Sequence, residues 1–193
     1  MLGLKLPTDP RWVNLAEKSI EEILVDHAYC EQKAASTCIS LIIQFPDKEK
    51  MVDTLMPIVT EEWGHFRMVL KELKKRGHKL GAKRVDKYVV ELMKLERKGG
   101  KRERQLMDKL LISALIEARS CERFRLLSEN ISDLDLREFY RELMVSEAGH
   151  YRTFLDLAKE YMPESEVKER WQEMLQAEAE IIRNLEIRGD RMH

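Results

Sequence analysis

Long segments with helical periodicity, separated by a few short breaks, constrain the fold of this 193-residue chain more than any other feature. In the first segment, apolar and small residues recur every three or four positions, as a buried helix face requires; they are Leu24, Ala28, Ala35, Cys38 and Ile42. The chain contains only 8 Gly and 5 Pro, too few turn formers for a many-stranded barrel or sandwich. The sequence therefore predicts an all-α protein.

Proline, glycine and capping residues set the expected helix limits. The predicted helices cover about residues 12–44, 48–76, 85–98, 101–129, 134–161 and 164–187. Pro57 lies inside the second helix, where we expect it to kink the helix or to split off the first turn. Two antiparallel helix pairs with one long crossover are typical of a ferritin-like four-helix bundle. We expect one domain over residues 1–193, with the bundle core at about 12–161 and an extra C-terminal helix.

Charge is unevenly distributed along a chain whose net charge is only −1. Residues 71–104 contain 14 Lys or Arg against 5 Asp or Glu, a local charge of +9. The three cysteines, Cys30, Cys38 and Cys121, form no Cys-x-x-Cys pair, which argues against a disulfide framework or a zinc ribbon. The sequence has no run of 18 apolar residues and no visible secretion signal, so we expect a cytoplasmic protein.

Two short motifs carry the candidate chemistry: Glu62-Trp-Gly-His65 and Glu147-Ala-Gly-His150. Glu and His three residues apart project from the same helix face and can bind one metal ion. A single copy is weak support, because such pairs also occur on solvated helix faces. Both copies, however, lie near the middle of long helices beside apolar residues, where a charge is costly unless it is paired or bound to a metal.

Antiparallel geometry predicts which residues of the preceding helices lie level with these motifs. The first turn is centred near residues 46–47, which places Glu31 level with Glu62. The turn near residues 131–132 places Glu117 level with Glu147. Four carboxylates and two imidazoles are then expected at one level of the bundle.

The carboxylate of the third long helix has an alternative. The pair Cys30-Glu31 is similar to Cys121-Glu122, which would make Glu122 the ligand instead of Glu117. Residues 117 and 122 are about 140° apart around a helix, so both cannot point straight inward. The distance from the turn favours Glu117, and Glu122 remains the alternative.

The complete candidate set matches the ligands of di-iron or di-manganese carboxylate proteins: Glu31, Glu62, His65, Glu117, Glu147 and His150. One imidazole per ion among carboxylates suits Fe or Mn, whereas zinc takes sulfur or more imidazoles. Which of the two metals is bound stays open. His27 has no evident partner and is interpreted as a surface or structural residue, and Trp63 as a packing residue.

Four blocks, residues 26–35, 61–77, 115–124 and 146–151, resemble the tRNA-(2-methylthio-N6-isopentenyladenosine) hydroxylase family. The resemblance extends over about residues 10–160, and its most distinctive run is residues 116–124. One departure is the Gly before each His, where a bulkier residue is expected; it would widen the substrate pocket.

The resemblance implies a non-haem di-iron monooxygenase that hydroxylates the isopentenyl group of the modified adenosine in the tRNA anticodon loop. O₂ is the co-substrate, and electrons come from an external reductase, because no flavin or nicotinamide fingerprint is present. The expected contacts to the anticodon stem-loop are Lys74, Lys75, Arg76, Lys79, Lys83 and Arg84. The alternatives are a solvated crossover for these charges, and a ferritin-like di-iron oxidase or peroxidase acting on a small molecule or peroxide.

Overall fold

The computed structural model describes residues 2–193, which contain seven α-helices and no strand. The helices are α1 Arg11–Lys18, α2 Ile20–Gln44, α3 Glu49–Lys75, α4 Lys87–Met93, α5 Arg102–Asn130, α6 Leu134–Tyr161 and α7 Glu164–Asn184. The all-α prediction is therefore confirmed. None of these helices combines the length and the apolar composition that a membrane span requires.

The first predicted helix is wrong in one respect, because it is broken at Ser19. The Ser19 N–H donates to the carbonyl of Ala16 at 3.0 Å, three residues back, and its backbone leaves helical geometry at φ −127° and ψ 37°. Glu21 and Glu22 follow in the first turn of α2, where negative charge stabilises a helix start. Ser19 with acidic residues two and three positions later is a helix-start pattern in the sequence, although the Ser19 side chain makes no capping hydrogen bond.

The crossover helix α4 is shorter than predicted. Asp86 caps it by accepting from the Val89 N–H at 3.1 Å, as a helix start requires. It ends at Met93 because Arg97 is held elsewhere: its backbone N–H and its guanidinium both donate to Asp108 at 2.8–2.9 Å. A buried carboxylate therefore sets the backbone course after α4.

The helix limits near Pro57 and at the C-terminal helix differ in part from the predicted ones. α3 continues through Pro57, so the first turns are not split off as one alternative expected. α7 begins directly after Pro163, as predicted, but ends at Asn184 because Leu185 is extended. The predicted end of α7 is thus three residues too far along the chain.

The chain forms two compact units. The α2–α3 unit comprises residues 14–85 and 188–192, and the α5–α6 unit comprises the N-terminal residues up to Val13, residues 86–187 and His193. The expectation of a single domain stays a prediction.

The α2–α3 unit is built around two long helices joined by only four residues, 45–48. So short a connection makes the helices antiparallel neighbours. Phe45 is buried at the turn, and its N–H donates to the carbonyl of Leu41 at 3.0 Å. The core of this unit includes Leu24, Ala28, Ala35, Cys38, Met51, Leu55 and Val69.

The α5–α6 unit has a turn of three residues, 131–133, in which Asp133 caps α6 by accepting from the Leu136 N–H at 3.0 Å. α5 is buried along most of its length, from Leu106 to Ser128. Several charged side chains on α5 are consequently buried and need partners within the unit.

A buried ion network supplies partners for one of these charges. The guanidinium of Arg119 is fully buried and donates to Glu122 at 2.5 Å and to Glu178 of α7 at 2.7 Å. Arg119 also donates to Thr8 and to the carbonyl of Leu6, which ties the N-terminal segment to α5. Removing one member of such a buried group leaves the others uncompensated.

We predict that Asp108→Asn lowers the free energy of unfolding by about 1–3 kcal/mol at neutral pH, because charged hydrogen bonds to Arg97 and Arg170 are lost. Hydrogen bonds and charge interactions with these two arginines outweigh burial and lower the pKa of Asp108. Stability from a lowered carboxyl pKa is present above about pH 4 and is lost as the pH falls further.

Urea unfolding of both proteins between pH 3 and pH 7 measures this effect. Glu164→Gln, which removes an exposed ion pair to Lys168, serves as the control and is expected to change stability by less than about 0.5 kcal/mol. Equal stability of Asp108→Asn and wild type at pH 7 would contradict the anchoring role of Asp108.

Candidate metal centre

Three of the six predicted ligands meet inside the α2–α3 unit. Glu31 belongs to α2, and Glu62 and His65 lie one turn apart on α3. His65 Nδ1 lies 3.5 Å from Glu31 Oε2 and 3.5 Å from Glu62 Oε2. One ligand atom of each residue lies within 4.8 Å of those of the other two, and each residue exposes 9% of its surface or less. This first cluster offers two carboxylates and one imidazole.

A further buried side chain, His27, contacts Glu31 of the first cluster from outside it. His27 Nε2 lies 2.5 Å from Glu31 Oε1, four residues further along α2. His27 is therefore a buried structural residue and not a surface residue. Its partner Glu31 lies four residues away on the same helix, a spacing from which the pair could have been predicted. Burial opposes ionisation of Glu31, but interactions with His27, His65 and Glu62 outweigh it, so the pKa of Glu31 is lower than its ordinary value.

The other three predicted ligands meet inside the α5–α6 unit. Glu117 belongs to α5, and Glu147 and His150 lie one turn apart on α6. Their ligand atoms also lie within 4.8 Å of one another, and all three side chains are buried. This second cluster repeats the composition of the first.

Glu122, the alternative to Glu117, has different partners. Its Oε2 accepts from Arg119 at 2.5 Å and from the hydroxyl and the N–H of Thr8 at 2.6 and 3.2 Å. If Glu122 bound a metal ion instead, the fully buried guanidinium of Arg119 would lose a charged partner, which is costly. The structure thus separates the two glutamates that the sequence left as alternatives.

Two cysteines lie next to the clusters but are poor metal ligands. Burial, together with the negative charge of Glu62, raises the pKa of Cys38 to about 12. Burial, together with the charge of Glu147, raises the pKa of Cys121 to about 12. Both thiols are protonated at neutral pH, and the thiolate is the form that binds a metal ion.

The chemistry of the two donor sets fits iron or manganese. Each cluster presents carboxylate oxygens and a single imidazole nitrogen, the mixture that hard to borderline divalent ions prefer. Buried carboxylates also need positive charge, and a divalent cation in each cluster would match the two negative charges there.

Two aromatic residues beside the ligands have different surroundings. The hydroxyl of Tyr29 donates to the carbonyl of Gly81 at 2.9 Å, which ties α2 to the connection after α3. Trp63 is 47% exposed, and its ring lies 4.9 Å from that of Phe66. Trp63 therefore packs against Phe66 with one part of its ring and exposes the rest.

A third group in the α5–α6 unit places Ser, His and Asp in line. His193 Nε2 lies 2.9 Å from Ser120 Oγ, and its Nδ1 lies 3.1 Å from Asp86 Oδ2. Ser120 is in the middle of α5, where neighbouring backbone N–H groups donate within the helix and none can stabilise an oxyanion. The group therefore anchors His193 and does not form a nucleophilic site.

The six predicted tRNA-contacting residues fall into two groups. Lys74, Lys75, Lys79 and Lys83 are exposed. Arg76 is instead bound to Glu72, and Arg84 is bound to Glu22. Both arginines would have to leave internal partners in order to bind a phosphate.

The fold class is that of the ferritin-like proteins. A solved structure described as "Protein 43 with aldehyde deformylating oxygenase activity from Synechococcus" superposes with a TM-score of 0.93 and 34% sequence identity, covering 98% of this chain and 94% of that chain. The ferritin-like prediction is thereby confirmed.

Within this class, the chain belongs to the tRNA-(MS[2]IO[6]A)-hydroxylase (MiaE) family, whose model matches residues 2–193. A curated relative from Pseudomonas putida, tRNA 2-(methylsulfanyl)-N(6)-isopentenyladenosine(37) hydroxylase, is 36% identical over 181 residues, which are 94% of this chain and 87% of that protein. A protein of the same name from Salmonella typhimurium is 26% identical over 228 residues, covering 93% of this chain and 83% of that protein. The resemblance identified from the sequence is confirmed.

The contrast between Glu117 and Glu122 gives a prediction. We expect Glu117→Gln to lower bound iron by at least about tenfold, since a ligand is lost, with a smaller effect on stability. Glu122→Gln is expected to lower the free energy of unfolding by about 1–3 kcal/mol, since Arg119 loses one of its two charged partners, and to retain iron when folded. Elemental analysis and urea unfolding of both variants measure the two effects, and the reverse pattern would exchange the two assignments.

The glycines before the two histidines give a second prediction. A Cβ added at Gly64 or Gly149 would meet no atom within 4 Å. Each change to Ala is therefore expected to raise the free energy of unfolding by about 0.5–1 kcal/mol. Gly77→Ala is the control: with φ at +77°, it is expected to lower stability by about 1–2 kcal/mol. Destabilisation by Gly149→Ala in thermal or urea unfolding would mean that something else occupies this space.

Proposed function

We propose that the chain is a di-iron tRNA hydroxylase in which each of the two Glu, Glu, His clusters binds one iron ion. Two buried clusters of the same composition, in a chain of this family, are the observation that carries the proposal. The ligands are Glu31, Glu62 and His65 with Glu117, Glu147 and His150.

Charge balance supports one divalent ion in each cluster. The four carboxylates carry four negative charges, which two Fe²⁺ ions neutralise. Without such compensation, carboxylates this deeply buried would tend to bind protons instead. The low pKa of Glu31 keeps that residue ionised and able to bind a metal ion.

The protein's own residues position the metal and limit its competitors. The His27 N–H donates to Glu31, and partners of this kind orient metal ligands and tune their basicity. The protonated thiols of Cys38 and Cys121 leave the site to oxygen and nitrogen donors. The burial of the six side chains restricts access of water.

When bound, the two irons would supply the activation of O₂ that oxygen insertion into a C–H bond requires. One oxygen atom becomes the new hydroxyl group, and the other leaves as water after taking up two electrons and two protons. The electrons come from an external reductase, since the sequence has no flavin or nicotinamide fingerprint.

The proposed substrate is the isopentenyl group of (2-methylthio-)N6-isopentenyladenosine in the anticodon loop. The names of the Pseudomonas and Salmonella relatives support this choice. Exposed lysines, including Lys74, Lys79 and Lys83, would contact phosphates without reading sequence. A tRNA substrate also implies a cytoplasmic enzyme.

A second candidate is oxygenation of a small aldehyde. The Synechococcus protein, 34% identical to this chain, is described as having aldehyde deformylating oxygenase activity. An aldehyde needs no phosphate contacts, so this function would leave the local charge of +9 over residues 71–104 without a use. The tRNA function is therefore preferred.

We predict that Glu62→Gln and Glu147→Gln each lower both bound iron and hydroxylated nucleoside by at least about tenfold, because each removes a carboxylate that binds iron directly. Glu61→Gln is the matched control, since Glu61 precedes Glu62 on the same helix but is exposed. Iron is measured by elemental analysis, and product by mass spectrometry of nucleosides after reaction with prenylated tRNA, O₂ and a reductase.

The same assay separates the two candidates. Wild type is incubated in parallel with prenylated tRNA and with aldehydes, and hydroxylated nucleoside and formate are quantified. Formate without hydroxylated nucleoside would reject the tRNA function, and full activity of Glu62→Gln would reject the metal assignment.

A further inference from the structure

One face of α3 carries a tryptophan followed only by cations. Trp63, Arg67, Lys71 and Lys74 are spaced by four, four and three residues, which aligns them on one side of the helix. All four are exposed. We call these four residues the α3 stripe; only Lys74 is among the six residues that the sequence analysis gives as expected tRNA contacts.

The tryptophan of the stripe is held with its ring half open. Its exposed fraction is 47%, whereas Phe66, whose ring lies 4.9 Å away, is buried. Single exposed apolar residues are common and need no explanation by themselves. Here, however, the exposed ring is followed along the same helix face by three positively charged side chains.

The cations of the stripe are not held by internal partners. Arg67, Lys71 and Lys74 take part in none of the ion pairs formed within residues 2–193. The only carboxylate of α3 beyond Trp63 is Glu72, nine residues on and thus on the opposite side of the helix, where it binds Arg76. The stripe therefore has uncompensated positive charge next to an open aromatic ring.

We propose that the α3 stripe binds the single-stranded loop of the RNA substrate, with one base stacked on Trp63 and the phosphates that follow on Arg67, Lys71 and Lys74. An aromatic platform with cations along a track is the usual way to hold single-stranded nucleic acid. Trp63 and Lys74 are about 16 Å apart along the helix axis, a span of a few nucleotides. The proposal rests on the proposed tRNA function.

The stacked base is a neighbour of the target adenosine and not the target itself. Trp63 is exposed, whereas Glu62 and His65, its neighbours on α3, are buried. A nucleotide that reaches buried ligands must leave the stack of the loop, and a platform at the surface would hold the adjacent base while it does so.

The test compares Trp63→Ala, Trp63→Phe and Arg67→Gln/Lys71→Gln in binding a labelled, prenylated anticodon stem-loop over a salt series. We expect Trp63→Ala to weaken binding by about 5- to 150-fold with an unchanged salt slope, and Trp63→Phe to keep most of the affinity. The double variant is expected to flatten the slope of log K against log salt by about 1.5, since two phosphate contacts are lost.

Two matched controls belong to the same experiment. Val145→Ala removes an exposed apolar side chain of α6, and Arg141→Gln removes an exposed cation of the same helix; neither is expected to change affinity by more than about twofold. Quenching of tryptophan emission by the RNA is expected in wild type and absent in Trp63→Phe, a signal that a merely structural role of Trp63 would not produce.

Affinity of Trp63→Ala within twofold of wild type, or a salt slope of the double variant equal to that of Arg141→Gln, would overturn the proposal. The iron content of Trp63→Ala, expected to equal that of wild type, shows that Glu62 and His65 are undisturbed. Failure of the tRNA function has a different signature, because wild type itself would then form no hydroxylated nucleoside.

Discussion

The burial of ionised side chains within helix pairs is the constraint on which the rest of this structure depends. Transferring a carboxylate from water to a protein interior is costly unless positive charge or hydrogen bonds replace the water. α5 alone buries Asp108, Glu117 and Glu122 together with Arg119. The partners that compensate these charges determine both the connections between helices and the position of the chemistry.

The chain meets this cost in two ways. Asp108 and Glu122 are neutralised by arginines, and these ion pairs fix the segment after α4, the N-terminal residues and α7. Glu117 lies instead with a second carboxylate and an imidazole, as do the ligands of the α2–α3 unit. Arginine-bound carboxylates are structural, whereas carboxylates gathered around an imidazole need a cation from outside the chain, and this distinction separates scaffold from site.

The positively charged residues at the surface can be divided in a similar way, into those that form ion pairs and those that are exposed without one. Much of the positive charge after residue 70 is predicted from the sequence to serve RNA binding, but Arg76 and Arg84 are bound to glutamates. Arg67 and Lys71 are open to solvent beside Trp63. Counting charges along the chain located the basic region, but it could not tell which cations are available, because their partners come from other turns of helix or from other helices.

The sequence by itself determined the all-α class, the helix limits to within a few residues except at Ser19 and α4, and the types and spacing of the candidate ligands. It could do so because helical periodicity, capping residues and Glu-x-x-His spacing are local properties of the chain. Only the tertiary structure decided that Glu122 belongs to Arg119, that His27 is buried against Glu31 and that Trp63 faces solvent. Helical spacing allows the pairs Arg119–Glu122 and His27–Glu31, but it does not determine whether they are buried. Burial, and the contacts of Arg119 with Thr8 and Glu178, depend on residues that folding brings together from distant positions.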